Sequence, residues 1–194
     1  MSEARYLGFT IDEKWNYKKH VKNLITRLRK MMPCLYKVCK VLNKKNKLNL
    51  YYAWIESILR YGIEVYGFAP ESVLEKIQKV QKILFKDSRH DLKTEALYAK
   101  NKILKFKQLR DFVVIINNYF ENKFKNVIET KIQYFRKTTY RYTVPFVNNE
   151  YGKRNRSFYV PTIFNSLSEP LLKLEKINKL KKLLKQHFLQ QTVR

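Results

Sequence analysis

At 194 residues the chain has room for one medium domain or two small ones. Hydrophobic residues make up 45%, which argues against wholesale disorder, and only 4 Gly and 5 Pro argue for long elements with few tight turns. Lys and Arg number 41 against 16 Asp and Glu, a net charge of +25 that is most simply explained by a polyanionic partner.

The excess charge is uneven. Residues 1–50 hold 13 basic and 3 acidic side chains, residues 51–127 hold 14 and 9, and residues 128–194 hold 14 and 4. The middle is the more ordinary scaffold, and the two ends are the candidate polyanion contacts. Cys34 and Cys39 are too few for a disulfide framework, and neither their spacing nor His20, His90 and His187 supplies a zinc set. Both cysteines read as small buried hydrophobes in a reducing, intracellular setting, nuclear or cytoplasmic. The start, Met1 to Tyr6, lacks the apolar core of a secretory leader, and no run has the length of a membrane span.

In chain order, Tyr6-Leu7-Gly8-Phe9-Thr10-Ile11-Asp12 reads as a short β segment, which needs a sheet whose other strands are not evident and implies a start in mid-domain. From about residue 16 the period turns helical, with Val21, Leu24, Ile25, Leu28, Met31 or Met32, Leu35, Val38 and Leu42 in one stripe. Pro33 predicts a kink or break there. Leu48, Tyr52, Ile55 and Leu59 predict a helix over 47–61. Ser72-Val73-Leu74-Glu75 predicts a capping box opening a helix that runs to about Lys86 on Val73, Ile77, Val80 and Leu84. A short helix is expected at 93–100. A long one is expected from about Lys105 to Val127, with Phe106, Leu109, Val113, Ile116, Phe120 and Phe124 or Val127 inward. Residues 128–160 lose the helical period and read as loop with short β pieces. A final helix over about 171–190 carries Leu174, Ile177, Leu180, Leu184 and Phe188 on one face and Lys176, Lys179, Lys181, Lys182 and Lys185 elsewhere. The expected fold is mainly α: a helical array with a β stub at the start and irregular structure before the last helix.

Several blocks carry a family resemblance. They are Tyr6 to Asp12 with Trp15 and His20; Leu50-Tyr51-Tyr52-Ala53; Leu59-Arg60-Tyr61-Gly62-Ile63-Glu64-Val65-Tyr66-Gly67; and Leu74 to Leu84 with Gln78 and Gln81. The last are Tyr151-Gly152-Lys153-Arg154, Ser157-Phe158 and Phe164-Asn165-Ser166-Leu167. Each is weak alone, but in this order they resemble the C-terminal region of non-LTR (LINE-type, jockey-like) retrotransposon reverse transcriptases. Pro33, inside a helix that the family keeps continuous, is a departure. The resemblance implies that residues 1–15 are a remnant of the last palm strand, beside the primer grip. It implies a helical thumb-like region over 16–127 and a basic C-terminal segment with a terminal amphipathic helix over 128–194. The family's endonuclease and fingers would be absent.

That family's polymerase chemistry needs metal ions on clustered carboxylates. Asp12, Asp87, Asp91 and Asp111 are the only aspartates, and no two are adjacent. Asp12 reads better as a support for the start of the first helix than as a ligand, and Asp87 and Asp91 read as a solvated turn. With four glycines there is no phosphate loop. The expectation is no cofactor in this chain, since Mg would belong to the palm, and no catalysis by the chain alone. The candidate contacts are then basic. Lys18, Lys19, Lys22, Arg29 and Lys30 lie on one face of the first helix, suited to gripping phosphates without reading sequence. Arg136, Lys137, Arg141, Lys153, Arg154 and Arg156 follow in the C-terminal segment, with Tyr140, Tyr142 and Tyr151 as stacking candidates. The expected partners are RNA and DNA as primer–template, and the rest of a reverse transcriptase, with no membrane. The rival reading is a stand-alone basic helical adaptor that binds protein partners.

Overall fold

The computed structural model describes residues 3–13, 15–83, 94–120, 129–134, 137–172, 174 and 176–193. For 39, 82–83, 94–97, 120, 129–134, 137–141, 169 and 192–193 it describes the backbone alone. The fold is mainly α, as the helical periods predict. The chain forms two compact units, Met1–Arg110 with Leu189–Arg194, and Asp111–Phe188.

The first unit opens with a hairpin. Strands β1 (Glu3–Tyr6) and β2 (Phe9–Asp12) pair antiparallel, Tyr6 opposite Phe9 and Glu3 opposite Asp12. The sequence reads Tyr6–Asp12 as one strand seeking a sheet, but its partner is the segment just before it. Leu7 and Gly8 form the two-residue connection, with φ of 45° and 81°. Positive φ at both positions is the turn whose twist matches that of paired strands. Glycine adopts it freely, whereas Leu7 is strained and exposed, and its carbonyl accepts a hydrogen bond from the Tyr61 hydroxyl at 2.8 Å.

Asp12 then starts the first helix. Its carboxylate accepts from the backbone N–H of Asn16 at 2.7 Å and its carbonyl from that of Trp15 at 3.0 Å. Helix α1 (Lys18–Val41) packs on β2 and carries Val21, Leu24, Ile25, Leu28 and Leu35 buried, the stripe that the period predicts. The stripe then emerges, since Val38 is exposed. The helix does not break at Pro33. An interior proline forfeits a backbone bond and costs about 3 kcal/mol. Pro33 itself is exposed, and Leu28 and Leu35 are buried on either side of it, so both arms of the helix are held by packing. Cys34 is exposed and not buried as its small apolar character suggests, because it lies on the side of the helix away from Leu28 and Leu35. The Cys39 side chain lies outside the described residues.

Helix α2 (Lys44–Leu50) is capped by Asn43, whose side chain accepts from the backbone N–H of Asn46 at 2.9 Å. It continues through a wider π-helical stretch, Tyr51–Glu56, into α3 (Ser57–Arg60). The extra residue per turn shifts the face: Tyr51, Ile55 and Leu59 are buried, where the sequence suggests Tyr52. After Gly62 come α4 (Ile63–Tyr66) and α5 (Glu71–Ile83), which packs against α1. Helix α5 begins one residue before the expected capping box. Pro70 supplies the carbonyl that Val73 and Leu74 bond to, at 2.9 and 3.2 Å, and Ser72 falls inside the first turn. Helix α6 spans Thr94–Asn101, and α7 spans Phe106–Phe120.

The buried centre of this unit includes Leu59, Ile63, Tyr66, Ile77, Ile103 and Phe106. One polar residue is threaded through it. The Gln81 amide donates to the Tyr51 hydroxyl and the Leu104 carbonyl, both at 2.9 Å, and its Oε1 accepts from the Tyr98 hydroxyl at 3.4 Å. Burial pushes the Tyr51 phenol well above its ordinary value, so it stays a neutral acceptor. Gln81→Leu keeps the apolar volume but strips those partners away. Each buried group left unpaired costs about 1–3 kcal/mol. The variant should lose roughly 2–5 kcal/mol in denaturant unfolding, and a loss below about 1 kcal/mol would contradict this account.

In the second unit, α7 buries Phe112, Val114, Ile115 and Asn118, while Val113 and Ile116, expected inward, are half-buried. Strands β3 (Glu129–Tyr134) and β4 (Lys137–Tyr142) pair antiparallel, the short β that the loss of helical period suggests. A 3₁₀ turn, Gly152–Arg154, precedes α8 (Arg156–Asn165), a helix that the sequence does not announce. Asn155 caps it, its side chain accepting from the backbone N–H of Ser157 at 3.0 Å. Helices α9 (Glu169–Leu172) and α10 (Ile177–Val193) complete the chain, with Leu180, Leu184 and Phe188 buried as expected.

Candidate nucleic-acid interface

Helix α1 holds no acidic residue. From Lys14 to Ile55 the chain carries 12 Lys and Arg and no Asp or Glu. At about 100° per residue, Lys18, Lys22 and Arg29 fall within about 40° of one another, and Lys19 and Lys30 lie next to them. All five are exposed. Lys19 pairs with Glu3 across to the hairpin, and the side chains of Lys18, Lys22, Arg29 and Lys30 have no hydrogen bond or ion pair among the described residues. Lys18, Lys22 and Arg29 thus form a cationic stripe that borders the buried one at Ile25, with Lys19 and Lys30 about 60–80° further round.

The remaining candidates belong to the second unit. Arg136 lies outside the described residues. Lys137, Tyr140 and Arg141 lie on β4, opposite Tyr134, Lys131 and Thr130, with their backbones alone described. Tyr142 is half-buried: its backbone N–H donates to Asn165 Oδ1 at 2.7 Å, the Asn165 amide donates back to its carbonyl at 2.9 Å, and its ring meets Phe164 edge-on at 5.5 Å. Tyr151 is exposed with the Arg154 guanidinium 5.5 Å over its ring, which stiffens both. Lys153 donates to Glu150 at 2.6 Å, and that bond holds the carboxyl below its ordinary range. Arg156 sends Nε and one terminal nitrogen to Asn118 Oδ1, at 3.1 and 2.6 Å. Asn118, which no spacing rule singles out, is itself buried and fixed by its amide to the Val114 carbonyl at 2.6 Å. The Arg156 guanidinium is therefore aimed by the core.

The first unit also contains a cleft that sequence reading misses. It has a volume of about 500 Å³ and lies where the hairpin turn, α1 and α3 meet, with Gly8, Thr10, His20, Asn23, Arg27 and Tyr61 among its lining. Its residues come from three elements, so no local spacing signals it. His20 is buried between the Phe9 ring at 5.0 Å and the Tyr66 ring at 5.1 Å, and its Nε2 has no hydrogen-bond partner.

Burial lowers the His20 pKa from 6.5, so the folded chain holds this imidazole neutral where the unfolded chain begins to take up a proton. The stabilising contribution is therefore full above about pH 6.5 and falls as pH drops through 6.5 toward the folded value. His20→Gln should flatten that part of the curve. Thermal midpoints of parent and variant at pH 5 and pH 7.5 measure this, and equal pH sensitivity in the two would reject it.

Among the described residues no three His, Cys, Asp or Glu side chains gather to hold a metal ion, and no helix is long and apolar enough to cross a membrane. Asp87 and Asp91 lie outside the described residues.

No family model matches the chain, and no solved structure does. Two curated proteins of Drosophila melanogaster are similar to it. A probable RNA-directed DNA polymerase from transposon X-element is 32% identical over 81 residues, 40% of this chain and 9% of that protein. The RNA-directed DNA polymerase from mobile element jockey is 32% identical over 80 residues, again 40% of this chain and 9% of that protein. The resemblance to jockey-like polymerases is borne out over 40% of the chain, and the matched stretch spans under a tenth of each relative's length.

Proposed function

Taking kinship with these mobile-element polymerases as premise, we propose that the chain is a nucleic-acid-gripping region of a non-LTR reverse transcriptase, holding primer–template by its backbone. The observation that carries this reading is the acid-free α1, with Lys18, Lys22, Arg29 and Lys30 exposed and unpaired on one face. Cations along one face of a helix suit phosphate contact that is indifferent to sequence. Arg154 and Arg156 in the second unit, each steadied by a neighbour, are candidates for phosphate contact of their own.

In this reading the chain supplies binding, and the metal-holding carboxylates belong to a palm elsewhere in the polymerase. Purified chain should extend no primer with Mg²⁺ or Mn²⁺, and template-dependent incorporation would overturn that part.

The direct test is a binding titration against salt. With about 6 phosphates neutralised, log K should fall against log salt with a slope near −5 on duplex DNA, similar for unrelated sequences. A flat salt response, or salt-insensitive capture of a protein partner in its place, would replace this reading with that of an adaptor.

A further inference from the structure

The cleft between the hairpin turn, α1 and α3 carries features that the cationic face of α1 does not explain. His20, Asn23, Leu24 and Arg27 follow each other at helical three- and four-residue spacing, so one stripe of α1 forms its wall. On the helical wheel Arg27 lies about 140° from Lys22 and about 60° beyond Lys30, and the described lining contains no acidic residue. The side chains of Arg27 and Asn23 have no hydrogen bond or ion pair among the described residues. Behind them the buried His20 leaves its Nε2 unpartnered, an arrangement that structures rarely keep without a reason.

The cleft also offers a ring. Tyr61 lies parallel to Phe9, at 4° and 5.4 Å between centroids, and its hydroxyl is tied to the Leu7 carbonyl. One face of Tyr61 is thus packed, yet 59% of the residue remains exposed. A ring held flat from behind and open in front has lost its freedom already, so stacking a base on it costs little further entropy. A volume of about 500 Å³ is within the roughly 300–1,000 Å³ typical of small-molecule clefts.

From this juxtaposition of unpaired donors on α1 with a braced, open aromatic ring, we infer that the cleft binds a single phosphate-bearing nucleotide, its phosphate on Arg27 and Asn23 and its base against Tyr61. The site is separate from the backbone grip of α1 and rests on the nucleic-acid reading only for the class of its ligand.

The test uses the full chain and adenosine monophosphate, followed by NMR of the His20 ring protons. The expected result is a saturable one-to-one shift. Arg27→Ala should weaken it at least tenfold, with Arg27→Lys in between. Adenosine and inorganic phosphate should each bind at least tenfold more weakly than the nucleotide. Arg27 is exposed, so its replacement leaves the core intact. The inference is overturned if the His20 resonances do not move, if Arg27→Ala binds like the parent, or if adenosine or inorganic phosphate binds as tightly as the nucleotide. A single-strand oligonucleotide titration on the same samples separates this from the main reading. Oligonucleotide binding without nucleotide binding sinks the cleft alone, whereas nucleotide binding without salt-dependent oligonucleotide binding sinks the α1 grip alone.

Discussion

Neutralising Lys18, Lys22, Arg29 and Lys30 together, each to Gln, should weaken duplex binding by roughly 100- to 1,000-fold near 0.1 M salt and reduce the magnitude of the salt slope by about 3 to 4. Each phosphate contact releases close to one counterion, so the slope counts contacts while affinity at one salt concentration does not. The folded chain should tolerate the change. All four side chains are exposed without partners among the described residues, and α1 is held by its opposite face through Val21, Leu24, Leu28 and Leu35. Removing four like charges from a chain of net +25 should leave thermal stability equal or raised. A variant that binds and responds to salt as the parent does would remove α1 from the interface.

The geometry explains why these four should act as a set. From Lys18 to Lys30 they follow one helix over a rise of roughly 18 Å, enough to meet phosphates over about half a helical turn of duplex. Lys19 is left out of the set because Glu3 already partly neutralises it, and in exposed positions such a pair adds little to stability.

The α1 face was legible in the sequence because it is a surface property. Charge on one side and Val21, Leu24 and Leu28 on the other need only the helical period, and no knowledge of what lies across the core. The same holds for α5 and for Leu180, Leu184 and Phe188 of α10. Reading fails where tertiary packing outweighs local preference. Leu7 is a poor candidate for a left-handed turn, so Tyr6–Asp12 passes for one strand, although Gly8 is the mark of a hairpin. Helix α8 buries Tyr159, Val160, Pro161 and Phe164, a set with no clean stripe and a proline inside it, and only the Asn155 cap betrays its start. The inward side of α7 turns from Val113 and Ile116 to Phe112 and Ile115, which hydrophobicity alone cannot choose between. Arg27 goes unremarked because it lies outside the basic arc, and its setting beside Tyr61 exists only after the chain has folded.

Gly62→Ala should be among the most damaging small substitutions in the first unit, lowering its unfolding free energy by roughly 2–5 kcal/mol. Two costs add. Gly62 has a φ of 61°, in the left-handed region, where a side chain costs about 1–2 kcal/mol. A Cβ there would also sit 1.9 Å from Cζ of Phe9, and forcing volume into a packed core costs typically about 1–3 kcal/mol. The Phe9 ring has little room to yield, lying against His20 at 5.0 Å and flat on Tyr61 at 5.4 Å. Gly8→Ala is the control for the first cost by itself. Gly8 has φ of 81°, but an added Cβ would meet Tyr61 at an ordinary 3.7 Å, so its loss should stay near 1–2 kcal/mol. The clash is isolated by adding Phe9→Ala. In that background the new methyl has space, so Gly62→Ala should cost only the backbone strain, leaving a coupling of about 1–3 kcal/mol between the two positions. Denaturant unfolding of the parent, both single variants and the double measures the cycle. Purely additive losses would mean that Gly62 and Phe9 do not press on each other, and that the hairpin is not seated on the junction of α3 and α4 through this contact.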